Sequence, residues 1–147
     1  QDTSFLSLFA DDITAVVQGS SVEGLESNMT ALSELIESLC DVNGLRLNSD
    51  KTQSLTFQLN GPLTRSVNLL GVVVDNRISW VQHVDKLSSK LASCNFMLRR
   101  LSRCVSPEIL RSVYFACFHS RLSYCVQLWG NSPHSHRIFV LQKKALR

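Results

Sequence analysis

Two adjacent carboxylates, Asp11 and Asp12, are the side chains of this sequence that best suit metal-ion chemistry. They stand between two short apolar runs, residues 5–8 and 13–17, which have the composition and partial alternation of strands. The pattern predicts a β-hairpin with both carboxylates at its turn. Asp is also an ordinary turn residue, because it bonds its own backbone well. These residues by themselves leave a metal site and a plain turn equally open.

Charge is unevenly distributed along the chain, although its net value is only +3. Residues 1–80 contain four basic and ten acidic side chains, whereas residues 81–147 contain eleven basic and two acidic ones. A basic lobe after an acidic one favours a polyanion partner, most often nucleic acid. A solvated basic helical surface is the alternative. The change of sign also predicts a domain boundary near Trp80.

Composition narrows the class of protein. Hydrophobic residues make up 44% of the 147 residues, which is enough for a sizeable core. No apolar run approaches the ~18 residues that a membrane-spanning helix needs. The five cysteines lack a C-x-x-C pair, which disfavours a zinc ribbon and fits a reducing, intracellular compartment, the cytoplasm or the nucleus. The chain lacks an initiator Met and stops within a predicted helix, so we expect a fragment of a longer polypeptide.

A long amphipathic helix is predicted after the hairpin. Apolar residues recur every three or four positions over 22–41, with acidic residues off the stripe. Ser20 and Glu23 have the spacing of a capping box at its start. Asn43-Gly44 is typical of a helix end, where glycine adopts a left-handed conformation.

Strands are predicted between this helix and the basic half. Residues 54–59 alternate at period two, residues 60–62 have turn composition, and residues 67–75 form a further apolar run. The order of elements predicts an α+β fold, with an antiparallel sheet covered on one side by the helix.

The basic half predicts a helical bundle. Helical spacing or helix-start signals mark three segments, 81–103, 106–124 and 134–147. Trp80 and Trp129 are expected to pack in the core more readily than to stack on bases. The four histidines show neither triad partners nor metal spacing, and no catalytic role is assigned to them.

Several short motifs follow one another in a recognisable order. They are Phe9-Ala10-Asp11-Asp12, Asn43-Gly44-Leu45-x-Leu47-Asn48-x-x-Lys51-Thr52, Leu69-Leu70-Gly71-Val72-x-x-Asp75, Trp80-x-x-His83-Val84, Leu122-x-Tyr124 with Trp129-Gly130, and Leu141-Gln142-Lys143-Lys144-Ala145-Leu146-Arg147. Together they resemble a reverse transcriptase of non-LTR (LINE-like, jockey-like) retrotransposons. The resemblance covers essentially the whole chain. It implies the C-terminal part of the palm over residues 1–80 and a thumb, with the start of the following connection, over residues 81–147.

The resemblance implies an RNA-directed DNA polymerase, which extends a DNA primer on an RNA template with deoxynucleoside triphosphates. Such nucleotidyl transfer uses two Mg²⁺ ions. Asp11 would be a catalytic metal ligand. Asp12, the second acid of the pair, would contribute the electrostatic field of its negative charge more than steady coordination of the metal ion. Lys51 would lie near the triphosphate and act as an acid for the leaving pyrophosphate. Asn48 is expected to shape its turn rather than to touch substrate.

The resemblance also implies nucleic-acid contacts at the Leu70-Gly71 motif and along the thumb helix. Leu70-Gly71 would form the primer-grip hairpin, where glycine lets a nucleic-acid backbone approach closely. A glycine at a strand bulge is the equally open alternative. Phosphate contacts along the thumb helix are implied for Lys86, Lys90, Arg99, Arg100 and Arg103.

Parts of such an enzyme are missing from this chain. The family places a further ligand Asp on an earlier strand and holds substrate with fingers, so we expect the isolated fragment to be inactive without the N-terminal part of its polypeptide. Two other functions remain open. One is a non-catalytic nucleic-acid-binding module in which Asp11-Asp12 is only a turn, and the other is an unrelated Mg²⁺-dependent nuclease or phosphotransferase.

Overall fold

The computed structural model describes residues 4–57, 62 and 65–147. The chain divides into two compact units, Gln1–Thr52 and Gln53–Arg147. Helices and small antiparallel sheets make up both, which confirms the α+β class. No helix in the described ranges is long and apolar enough to cross a membrane.

The first unit consists of the predicted hairpin and the predicted helix. Strands β1 (Ser4–Phe9) and β2 (Asp12–Val17) pair antiparallel, in a register that sets Phe9 opposite Asp12. Helix α1 follows over Val22–Val42. The hairpin and the helix were both predicted from periodicity, and both are confirmed.

Both ends of α1 are closed by local side chains. Its N-cap is Ser21, whose hydroxyl accepts from the Gly24 amide at 3.1 Å, so the predicted capping box of Ser20 was one residue off. At the other end Asn43 caps the helix, and Gly44 adopts a left-handed φ of 66°, as predicted.

The apolar stripe of α1 is only half-buried. Its best-buried apolar side chain is Cys40, at 6% exposure, whereas Leu39 remains 48% exposed. The described part of this unit therefore has little core of its own.

The strand predicted over 54–59 is wrong where it can be checked. Residues 54–57 are irregular, Phe57 is 53% exposed, and residues 58–59 lie outside the described ranges. Alternation describes a surface that suits a strand, but a strand also needs a neighbour to pair with, and no described strand pairs with this segment. The turn predicted at 60–62 also falls mostly outside the described residues.

The single apolar run 67–75 is a second hairpin. Strand β3 (Ser66–Leu69) pairs with β4 (Val72–Asp75), and Leu70-Gly71 forms the turn. Among the described residues the two hairpins are separate two-stranded sheets, so the prediction of one antiparallel sheet was wrong.

Helices form the rest of the second unit. They are α2 (Val81–Leu101), α3 (Pro107–Val113), a π-helical segment (Tyr114–His119), α4 (Ser120–Ser123), α5 (Val126–Trp129) and α6 (His136–Ala145). The predicted segments 81–103 and 106–124 agree closely, and the third helix begins at His136. Trp129 is 2% exposed within the core, as predicted, and Trp80 packs half-buried against the same cluster.

The buried carboxylate of Asp75 joins β4 to α2. At 1% exposure, it accepts from the amides of Arg77 and Ser79 at 3.0 Å, from the Ser79 hydroxyl at 2.8 Å and from the Trp80 amide at 3.2 Å. Burial alone would raise the pKa of Asp75, but these hydrogen bonds to the charged form hold it below its usual value.

Hydrogen bonds connect the second hairpin to the start of the helical segment, and they account for its place in the second unit. Besides Asp75, the Ser66 hydroxyl donates to Gln82 at 2.6 Å, so β3 is also bonded to α2. The second hairpin therefore belongs with the helices in the compact unit Gln53–Arg147, and the division into palm and thumb near Trp80 stays a prediction.

We expect Asp75→Asn to destabilise the second unit by about 2 kcal/mol, because an amide nitrogen replaces one accepting oxygen and leaves buried donors unpaired. Since the folded-state pKa is lowered, the stabilisation is present above the unfolded value of about 3.9 and is lost as the pH falls below it. Urea unfolding followed by tryptophan fluorescence at pH 7 and pH 3.5 measures both effects, because Trp80 and Trp129 lie in this unit.

Asp85→Asn is the matched control. Asp85 pairs with Arg137 at an exposed position, so its loss should cost less than about 1 kcal/mol. Equal stability of Asp75→Asn and the wild-type chain would contradict the role assigned to the Asp75 carboxylate.

Candidate nucleic-acid interface and acidic hairpin

The acidic pair lies at the tip of the first hairpin. Asp11 is in the turn and Asp12 opens β2, and both are exposed. Ala10 beside them has a φ of 52°, a left-handed conformation that costs about 1 kcal/mol for a residue with a Cβ. Among the described residues neither carboxylate takes part in an ion pair, so the pair is not a buried structural salt bridge.

The donor chemistry of the tip suits a hard cation in part. Two adjacent carboxylates supply oxygen ligands, and Mg²⁺ in proteins is often held by one or two carboxylates together with substrate phosphates and water. Within the described ranges no group of three or more His, Cys, Asp or Glu side chains could hold a metal ion.

Lys51 lies in a tight turn of the same unit. The Asn48 carbonyl accepts from the amides of Lys51 and Thr52, each at 3.1 Å, and the Asn48 side-chain oxygen accepts from the Lys51 amide at 3.3 Å. Asn48 therefore shapes this turn, as predicted. Lys51 is exposed, and among the described residues it makes no hydrogen bond or ion pair with the acidic hairpin.

A second site is a groove in the helical unit, which we call the basic groove. It has a volume of about 330 Å³ and is lined by Leu70, Gly71, His83, Lys86, Leu87, Lys90, Ser120, Arg121 and Tyr124. The β3–β4 turn and the first part of α2 thus meet at one place. Four residues predicted as nucleic-acid contacts, Leu70, Gly71, Lys86 and Lys90, line it together.

The lining of the basic groove carries charge of one sign. Lys86, Lys90 and Arg121 supply three cations, and no carboxylate is among the lining residues. The nearby acid on α2, Asp85, is paired with Arg137. A concave site lined by cations concentrates anions, so the charge of this groove suits phosphate groups.

The other cations predicted on the thumb helix lie elsewhere. Arg99 and Arg100 occupy the last turn of α2, Arg103 follows its end, and all three are exposed outside the groove lining. Successive helical residues rotate by roughly 100°. Arg100 therefore faces the same side of α2 as Lys86, whereas Arg99 lies across the buried stripe. Their phosphate contacts remain predictions.

The turn that forms one wall of the groove is sterically unusual. Leu70 and Gly71 have φ values of 48° and 87°, so both central residues are left-handed, as a type I′ hairpin turn requires. This conformation is easy for Gly71 but unfavourable for a bulky residue such as Leu70. The Tyr124 hydroxyl donates to the Leu70 carbonyl at 2.5 Å.

His83 is a buried residue in the lining of the groove. It is 7% exposed, its Nδ1 accepts from the Val73 amide at 3.2 Å, and its ring centroid lies 5.9 Å from that of Trp129. Accepting at Nδ1 puts the proton of the neutral ring on Nε2. Burial, and then the charges of Lys86 and Lys90, lower the pKa of His83 below 6.5.

Three groove residues were missed by sequence reasoning. Tyr124 entered only as part of a motif, Arg121 was not singled out, and His83 had no assigned role. Arg121 Nη1 also donates to Cys94 Sγ at 2.8 Å, which ties α4 to the core face of α2. Motif order gave Tyr124 and His83 no groove role, and Arg121 reaches the groove through the packing of α4 against α2.

Comparison with known proteins finds no matching family model, no matching curated protein and no matching solved structure.

We expect acidification to loosen the basic groove through His83. The unfolded chain binds a proton at His83 below about pH 6.5 and the folded chain resists it, so stability falls as the pH drops through that value. His83→Asn keeps an acceptor near the Nδ1 position but does not titrate. Urea midpoints from pH 5 to 7.5 should slope less in this variant than in the wild-type chain.

His136→Asn is the control, because His136 is exposed at the start of α6 and should leave the slope unchanged. An identical slope in His83→Asn and in the wild-type chain would show that His83 does not titrate on unfolding.

Proposed function

We propose that the chain is part of an RNA-directed DNA polymerase, the reverse transcriptase of a non-LTR retrotransposon, and that its basic groove binds the primer–template duplex. The observation that carries this proposal is the meeting of Leu70-Gly71, Lys86 and Lys90 in one groove free of acidic lining. The resemblance assigned these residues to nucleic acid separately, from motifs in different parts of the sequence.

The groove binds the sugar–phosphate backbone of the duplex. Lys86, Lys90 and Arg121 contact phosphates, which fixes the position of the duplex without reading its sequence. Gly71 presents no side chain, so a sugar–phosphate strand can approach the turn closely. A polymerase needs this kind of binding, because it must hold every sequence that it copies.

The acidic hairpin supplies the metal ligands. Asp11 and Asp12 would hold Mg²⁺ at the exposed tip. When bound, the two-ion centre stabilises the attacking and leaving oxygens of nucleotidyl transfer. Lys51, presented by its turn, offsets negative charge at the triphosphate and donates a proton to the leaving pyrophosphate.

The partners of the proposed function are an RNA template, a DNA primer and deoxynucleoside triphosphates, with the N-terminal part of the same polypeptide. The proposed chemistry also needs a further carboxylate ligand and fingers, so we expect these 147 residues by themselves to be inactive. We place the protein inside the cell, in the cytoplasm and the nucleus.

A second candidate function is a non-catalytic nucleic-acid-binding module. It is favoured by one observation: all groove residues belong to the second unit, which does not include Asp11 or Asp12. In that case the acidic pair is only a hairpin turn.

We expect the chain to bind a fluorescein-labelled RNA–DNA hybrid with an affinity that falls steeply with salt, as phosphate contacts require. The double variant Lys86→Gln/Lys90→Gln should bind roughly tenfold more weakly. Its slope of log affinity against log salt should be shallower by about 2, since two phosphate contacts are lost. Fluorescence anisotropy between 50 and 300 mM KCl measures both quantities.

Lys143→Gln/Lys144→Gln is the matched control, because it removes the same charge from an exposed part of α6 outside the groove lining. It should change neither affinity nor slope appreciably. Equal weakening by both double variants would indicate non-specific attraction to a basic surface and would count against the groove.

Catalysis is tested separately. We expect no primer extension by the 147-residue chain, and extension by a longer polypeptide that adds a strand with the third carboxylate. Asp11→Ala should abolish extension in the longer chain while leaving hybrid binding intact, because the acidic pair supplies metal ligands and no phosphate-binding charge. Extension that survives Asp11→Ala would reject the metal role and leave the binding-module function.

A further inference from the structure

We propose that Tyr124 is a positioning residue, whose hydroxyl holds the Leu70-Gly71 turn in the conformation that binds duplex in the basic groove. This inference rests on the proposed function of that groove and adds a residue to which the resemblance assigned no role. It is carried by the hydrogen bond from Tyr124 to Leu70 and by the backbone conformation on which that bond acts.

The turn does not hold its shape through local preference alone. Leu70 is left-handed, a conformation that is unfavourable for a non-glycine residue and persists only where the surroundings enforce it. The Tyr124 hydroxyl bonds the carbonyl of this same residue. The hydrogen bond therefore acts on the residue of the turn whose backbone conformation is the less favourable one.

Tyr124 is itself firmly anchored. Its carbonyl accepts from the indole N–H of Trp129 at 3.2 Å, and Trp129 is 2% exposed in the core. Tyr124 is the C-cap of α4, and the next residue, Cys125, has a φ of 50° and is the N-cap of α5. The backbone of Tyr124 is thus anchored to the helical core, while its hydroxyl reaches the turn.

The ring of Tyr124 lies beside the turn. A Cβ built on Gly71 would lie 3.7 Å from Tyr124 Cε1, so even a small side chain at this position would meet the ring. Tyr124 is nonetheless 49% exposed. Removing its hydroxyl therefore leaves the ring in place and opens no buried cavity.

The role is positional because the neutral phenol carries no charge to a phosphate. Its loss should lower affinity without altering the number of phosphates contacted, whereas loss of Lys86 alters that number. The salt slope consequently separates a positioning residue from a contact residue.

The experiment compares Tyr124→Phe with Tyr114→Phe, which removes the only other tyrosine hydroxyl of the chain. We expect Tyr124→Phe to bind the RNA–DNA hybrid about fivefold more weakly at an unchanged salt slope. In spectra of ¹⁵N-glycine-labelled protein, the Gly71 amide should shift, and Tyr114→Phe should change neither quantity. Thermal unfolding by circular dichroism verifies that each variant is folded.

A rescue variant tests the cause. Asn-Gly favours a type I′ turn by itself, so in the Leu70→Asn background removal of the Tyr124 hydroxyl should weaken binding by less than about twofold. An unmoved Gly71 amide, an unchanged affinity or an equal loss in the Leu70→Asn background would each overturn the proposal. If the wild-type chain fails to bind the hybrid, the duplex-binding function falls instead. In that outcome a Gly71 shift confined to Tyr124→Phe still supports the hydroxyl contact, and its absence rejects it.

Discussion

The second unit depends on one buried charge, the carboxylate of Asp75. Trp80, the N-cap of α2, is left-handed and makes no side-chain cap. From the last position of β4, Asp75 accepts four hydrogen bonds from Arg77, Ser79 and Trp80, and these fix the segment that leads from the hairpin into the helix. One wall of the basic groove depends on this junction, because the β3–β4 turn and Lys86 and Lys90 of α2 line the groove together.

The two candidate sites differ in how far they are preorganised. In the basic groove, the turn is held by Tyr124, His83 is held by Val73, and Arg121 is held against Cys94. The acidic pair has a defined hairpin backbone, and both of its residues are exposed. A metal centre at the hairpin tip would therefore need additional ligands for its rigidity.

Local sequence determined the elements better than their assembly. The helices were predictable because a stripe of apolar residues sustained over twenty positions at helical spacing suits no element but a helix, and the first hairpin because two apolar runs flank a polar turn. By its apolar pattern the second hairpin is one continuous run, since Leu at position 70 gives no turn signal and yet is left-handed. Only the resemblance implied a hairpin at Leu70-Gly71. The predicted strand at 54–57 failed for the converse reason, a suitable pattern without a partner. Among the residues that line the groove, Lys86 and Lys90 were predicted as nucleic-acid contacts from the order of the motifs. Arg121 and Tyr124 were not predicted to line it, because they reach the groove through tertiary packing.

The π-helical segment Tyr114–His119 has a consequence for how this groove can vary. A π turn corresponds to one extra residue inserted in an α-helix, and it rotates everything that follows by roughly 100°. Arg121 and Tyr124 both come after it, so their direction depends on a phase shift made one turn earlier. Shortening the segment by a single residue would preserve a good helix and its apolar core, yet would turn the cation and the hydroxyl away from the groove. The number of residues between Pro107 and Tyr124 therefore matters for the groove independently of which residues they are.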